Sequence, residues 1–205
     1  MKLRIVLPLI AIIALALTFS ASASSYIGLG ASYRAFSSDA LWSAGNWQEN
    51  LKGALHLGLG VLPGVRVNMA SYAGFGGFEA LPAEVDPSAP IISLSGRAGI
   101  DYDLLKYDNA GTYLGFGPTA GISYSNVSYG PVSGKADFNM GIQAYLSLFS
   151  GKLELEGNVS YTFRDTFVNG GVMLRYDPAG SFIIYTGLDY LRRDGFAVLG
   201  VGVRF

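Results

Sequence analysis

The chain has 205 residues, which suits one domain. Half of them are hydrophobic, only 14% are charged and the formal net charge is -1, so the electrostatic footprint of a nucleic-acid binder is missing. There is no cysteine, which excludes a disulfide framework, a thiolate metal site and a cysteine nucleophile.

The first segment reads as a targeting signal. Lys2 and Arg4 give a positive start, Ile5 to Leu17 is apolar, and Ala21-Ser22-Ala23 is a small-residue cleavage site. This predicts a secretory signal peptide over 1–23 and a domain over 24–205, with the mature chain starting at Ser24. A membrane anchor fits less well, because the apolar run is short of the ~20 residues of a spanning helix and contains Pro8. Every later apolar stretch is broken by Gly, a polar residue or a charge within a few positions. An exported, apolar chain without spanning helices can still satisfy its backbone in lipid as a closed barrel.

The rest of the chain alternates with the strand period of two. Tyr26 to Phe36 puts Ile27, Leu29, Ala31, Tyr33 and Ala35 opposite Gly28, Gly30, Ser32 and Arg34. The second segment sets Leu51, Leu55, Leu57, Leu59 and Val61 against Lys52, His56, Gly58 and Gly60; Pro63-Gly64 turns it into a third, where Val65, Val67 and Met69 oppose Arg66, Asn68 and Ala70. Ile91 to Tyr102 places Arg97 and Asp101 on the small-residue face. The fifth segment does the same with Gly115, Gly117, Thr119, Gly121 and Ser123, although Pro118 within it cannot donate to a ladder and predicts a bulge or a later strand start. Asp137, Asn139, Gln143 and Ser147 follow on the sixth, then Ser150-Gly151 turns into a seventh carrying Glu154, Glu156, Asn158, Ser160 and Thr162. Asn169, Gly171 and Arg175 mark the eighth. Tyr185, Gly187 and Asp189 mark the ninth, whose alternation Ile183 blurs. Gly200, Gly202 and Arg204 mark the tenth.

These segments predict an all-β fold: a closed, antiparallel, up-and-down transmembrane β-barrel of about ten strands, with eight as the runner-up. The connections at one end, Ser37–Glu49, Phe75–Pro90 and Ser125–Gly134, are long; those at the other, Pro63-Gly64, Ser150-Gly151 and Asp177–Gly180, are short, with Asp103–Gly111 the longest of them. Long outer loops and short inner turns are the pattern of an outer-membrane barrel. Volume decides which face is inside. Roughly fifty large apolar side chains share one face, and the interior of a small barrel cannot hold them. The face rich in Gly, Ser and charge must line the lumen, and the apolar face must meet lipid, with Leu57 against lipid and His56 beside it inward. Tyr102, Tyr176, Phe182 and Phe205 gather at one rim, and Tyr33, Tyr124, Phe138, Tyr161, Phe163 and Tyr190 at the other, as two interfacial girdles.

The last strand ends Val201-Gly202-Val203-Arg204-Phe205. It resembles the C-terminal signal of bacterial outer-membrane barrels, an alternating apolar strand closing on a terminal Phe. Val198 departs from the polar residue often found in that signal. Across the chain the pattern resembles the small OmpA/OmpX-like barrel family. The resemblance implies a bacterial outer-membrane location, lipid contact, and recognition of Val201, Val203 and Phe205 by the barrel-assembly machinery. The barrel is expected to run to Phe205 with no soluble peptidoglycan-binding domain after it.

Chemistry is sparse. His56 is the only histidine. Lipid A-modifying outer-membrane enzymes and phospholipases carry a His-x-Ser pair, and here the run is His56-Leu57-Gly58, so His56 reads as a lumen residue in a polar network. Glu154 and Glu156 could do acid–base work, but they face arginines and read as part of an ion network. The sequons at Asn126 and Asn158 are chance matches, and no metal-ligand cluster or cofactor is expected. By parity the lumen network comprises Arg66, Asp101, Glu154, Glu156, Arg175 and Arg204 in the inner half, and Arg34, Lys52, Arg97, Asp137, Arg164 and Asp189 nearer the outer mouth. Trp42, Trp47, Phe75, Phe78 and Leu81 lie in outer loops that pack over the mouth or meet a surface ligand. The reading is a monomeric, non-enzymatic structural barrel with a plugged lumen and no nucleic-acid partner. A narrow porin-like channel and a lipid A-modifying enzyme are the alternatives.

Overall fold

The computed structural model describes residues 25–37, 51–75, 92–128, 135–164, 166–191 and 194–205. The expected signal peptide, Trp42, Trp47, Phe78 and Leu81 lie outside the described residues.

The period-two segments form one antiparallel sheet. Its strands are β1 (Tyr26–Ser37), β2 (Leu51–Leu62), β3 (Val65–Phe75), β4 (Ile92–Tyr102), β5 (Leu105–Asn109), β6 (Thr112–Ser128), β7 (Lys135–Leu148), β8 (Leu153–Thr162), β9 (Phe167–Tyr176), β10 (Phe182–Leu191) and β11 (Asp194–Arg204). β1 pairs with β11 from Tyr26↔Arg204 to Ser37↔Asp194, which closes the sheet on itself. β4 and β5 are two pieces of one wall strand. The β4–β6 ladder stops at Asp101↔Thr119 and the β5–β6 ladder opens at Leu105↔Phe116. The wall is therefore a closed ten-strand up-and-down barrel.

That break accounts for Pro118. It stands opposite the gap between the two ladders, so a residue that cannot donate sits where the pairing is already interrupted. The irregularity expected in its own strand lies in the neighbouring one. The break also corrects the long inner turn expected over Asp103–Gly111. Most of it is strand: Leu105–Asn109 folds back on Thr112–Phe116 through Ala110-Gly111, with Gly111 at φ +83°, a left-handed conformation that Gly adopts freely. At the opposite end the connections 163–166 and 192–193 are short, so the length asymmetry holds for the first three outer connections and not for the last two.

The two faces separate as the volume argument requires. Leu29, Leu188 and Leu199 point outward and are 65%, 65% and 64% exposed, with Ile100, Ile122, Ile142, Val159 and Val172 around the same belt. Gln143, Glu154, Thr162 and Asn169 point inward and are buried. A soluble protein does not carry so continuous an exposed apolar band; a strand wall in lipid does. Exposed Tyr102, Tyr176, Phe182 and Phe205 ring the end where the first and last described residues, Ser25 and Phe205, meet (the termini side), and exposed Tyr33, Phe138, Tyr161 and Phe163 the other. In the second set Phe138 stacks on Phe163 at 6.1 Å. Leu57 departs from the expected bare lipid contact. It has outward parity but is buried with Leu59, against Ile27, Val67 and Met69.

Candidate functional site in the barrel lumen

Inward-facing side chains on alternating positions of ten strands converge, and at the termini-side end they bond in a layer. Arg66 on β3 donates to both oxygens of Asp103 at 2.7 and 2.9 Å and to Gln143 Oε1 at 3.0 Å. Gln143 Nε2 and the Tyr113 hydroxyl donate to the same carboxylate at 2.6 and 2.5 Å. The Arg66 guanidinium lies over the Tyr145 ring, 4.1 Å from its centroid. Arg175 on β9 meets Glu154 at 3.4 Å and Glu156 on the neighbouring β8, and covers the Tyr26 ring at 4.3 Å. Arg204 joins Glu154 at 3.0 Å to Asp177 at 3.2 Å and donates to the Gly151 carbonyl at 2.7 Å. Buried charges are tolerable when paired and bonded in this way, and removing one member strands the others.

The loop-side half is built differently. Tyr72 stacks on Phe196 at 4.7 Å with an interplanar angle of 9° and donates its hydroxyl to Asp189 at 2.7 Å. Asp189 also meets Arg97 at 3.3 Å, and Arg97 bonds Asn158. Lys52 lies over Phe196 with its Nζ 5.2 Å from the ring centroid. Ile183, Tyr185, Val198, Met173 and Leu191 extend this into a buried apolar cluster on the inner wall of β9–β11 and β1–β3 that runs to the termini side, where Ile183 follows the rim residue Phe182 and Tyr185 stands opposite Arg175. Tyr185 fits because its neighbours have no side chains. A Cβ on Gly28 or Gly200 would come within 2.5 or 2.4 Å of its ring. The lumen glycines thus seat aromatic rings rather than leave space, an arrangement also used to pin sheet register.

His56 lies in this aromatic layer. Its ring centroid is 5.7 Å from Tyr72 and 5.1 Å from Tyr185, it is buried, and its Nε2 has no hydrogen-bond partner. This corrects the polar network expected for it. Arg34 pairs loosely with Asp194 at 3.9 Å and is only partly buried. Asp137 is buried on β7. Arg164 is exposed in the turn after β8, which ends at Thr162. Asp101 is buried on β4 and accepts from Asn68 at 2.5 Å. Val201, Val203 and Phe205 are exposed on the outward face, and the Phe205 N–H donates to the Ser25 carbonyl at 2.9 Å.

Reading by parity missed Asp103, Asp177 and the apolar cluster, and it placed Gln143 on the lumen face without a part in the ion network. Asp103 and Asp177 stood in presumed turns. The cluster had left two marks in the sequence, Ile183 against its strand's alternation and Val198 against the C-terminal signal, and both side chains point inward.

Between the layers lies a cavity of ≈ 50 Å³ lined by His56, Asn68, Arg97, Asp101, Glu156 and Asn158 among others. Among the described residues no group of three or more His, Asp or Glu is arranged to hold a metal ion.

A closed barrel with an apolar belt outside and bonded charges inside defines an integral-membrane β-barrel. Solved structures similar to it include Ail, the attachment invasion locus protein of Yersinia pestis (16% identity, TM-score 0.41, covering 89% of this chain and 98% of that one). Others are outer membrane phospholipase A of Escherichia coli (10%, TM-score 0.39, 93% and 96%) and a point-mutant porin of Rh. blastica (10%, TM-score 0.35, 89% and 99%). No protein-family model and no curated protein matches the chain. The barrel class rests on the strand pairing and the apolar belt described above, not on these distant likenesses.

Proposed function

We propose that this is an integral barrel of a bacterial outer membrane with a closed lumen, serving as a structural element and a carrier of surface loops rather than as a catalyst or a pore. The observation that carries the reading is the termini-side layer, in which Arg66 on β3 reaches Gln143 on β7, Asn68 on β3 reaches Glu156 on β8, and Arg204 on β11 reaches Glu154 on β8. Side chains tied across the lumen leave no continuous path for a solute. His56 sits between rings with Gly58 at the position where a nucleophile would be needed, which disfavours acyl chemistry. The exposed Val201, Val203 and Phe205 suit recognition by the barrel-assembly machinery, and the apolar belt suits lipid as the only obligatory partner of a monomer. Liposome swelling tests this reading. Vesicles carrying the folded protein should not swell in isosmotic small sugars or amino acids; swelling at porin-like rates would replace the closed barrel with a channel.

A further inference from the structure

The charges of the termini-side lumen do not balance. Among the described residues Arg66, Arg175 and Arg204 face five carboxylates, those of Asp101, Asp103, Glu154, Glu156 and Asp177. Adding Arg97 with its partner Asp189 leaves the excess unchanged. Asp101 carries the imbalance. It is 3% exposed, makes no ion pair among the described residues, and its bonding partners are the neutral Asn68 and Thr119. The Asn68 amide nitrogen bonds Asp101 at 2.5 Å and Glu156 at 3.1 Å, so one neutral donor holds two carboxylates together. Arg66 and Arg97 lie within electrostatic reach of Asp101 without pairing with it, and a buried carboxylate with no ion pair of its own is penalised.

Both acids line the ≈ 50 Å³ cavity, together with Thr119, Asn139 and Asn158. That is room for more than one water-sized particle. His56 lines it too, and its buried Nε2 has no partner. Arg97 and Arg175 also border the cavity, but each is already committed, to Asp189 and to Glu154 and Glu156. We propose that this cavity binds a small monovalent cation, of the size of sodium or potassium, on Asp101 and Glu156. The donors are hard oxygens, which suit alkali and alkaline-earth ions, and among the described residues His56 does not group with the two acids into a divalent cage, although it borders the same cavity. The site shares the charged lumen of the closed-barrel reading, but it is read by stability rather than by flux, so either can fail alone.

The test is thermal unfolding of the refolded full chain in zwitterionic detergent. Sodium chloride, potassium chloride and tetramethylammonium chloride are compared at equal concentration; the last cation is too bulky for the cavity. Sodium or potassium should raise Tm saturably, by about 2–4 °C, over tetramethylammonium. Asp101→Asn should abolish the difference. Equal Tm in all three salts, or the same sodium effect in Asp101→Asn, overturns the proposal. So does a wild-type protein stabilised by acid alone, which would put a proton on Asp101 instead. If Asp101→Asn does not fold, anomalous scattering from rubidium-soaked wild-type crystals decides: a peak between Asp101 and Glu156 supports the site, and its absence refutes it.

Discussion

The two halves of the lumen close the same barrel by different physics. At the termini-side end, guanidiniums cross between strands and tie carboxylates on β8, on the β4–β5 break and on the β9–β10 turn. At the loop-side end Tyr72 stacks on Phe196, and from there an apolar wall seated on glycines runs down β9–β11 and β1–β3. An ion-paired layer is an all-or-none device, since each missing member leaves a buried charge behind. A packed layer degrades gradually, methyl by methyl.

That contrast sets the expected order of mutational effects. Arg175→Met should cost the most, about 3–5 kcal/mol, because Glu154 and Glu156 lose a shared partner while buried. Adding Glu154→Gln and Glu156→Gln should recover much of the loss in a reversible urea titration; no recovery would mean Arg175 acts by packing alone. On the lipid face Leu199→Arg should cost about 2–4 kcal/mol, the value for an arginine near the bilayer midplane, and a neutral result would put β11 in the wrong register. In the loop-side half, Tyr72→Phe leaves Asp189 one donor short and should cost about 1–3 kcal/mol. Ile183→Val removes one methyl from the aromatic layer and should cost only about 0.5–1.5 kcal/mol. A penalty for Ile183→Val that rivals Arg175→Met would erase the distinction between the ion-paired layer and the packed wall.

Which face meets lipid was readable because a small barrel cannot enclose its large side chains, and that constraint acts on every strand. The depth and partners of each charge were less legible. Parity says which way a side chain points, but register and strand ends decide whom it meets. Asp103 became the most heavily bonded carboxylate of the lumen only because the wall strand breaks beside it and feeds it inward. Arg164 falls in an exposed turn because β8 stops two residues earlier. The aromatic layer was hidden by the expectation that an inward face must be polar. Glycine on β1 and β11 lets an inward Tyr185 pack as in an ordinary core.

The central claim is that the termini-side ion layer, rather than the loop-side rings, shuts the barrel. Single-channel recording in planar bilayers tests it most directly, with wild type beside Glu154→Ala/Glu156→Ala, which frees Arg175 from the neighbouring strand and removes the carboxylates that Arg204 and Asn68 reach from non-adjacent strands. The account predicts no steady current from the wild type and a measurable one from the double variant. A stable open-channel current from the wild-type protein would contradict it.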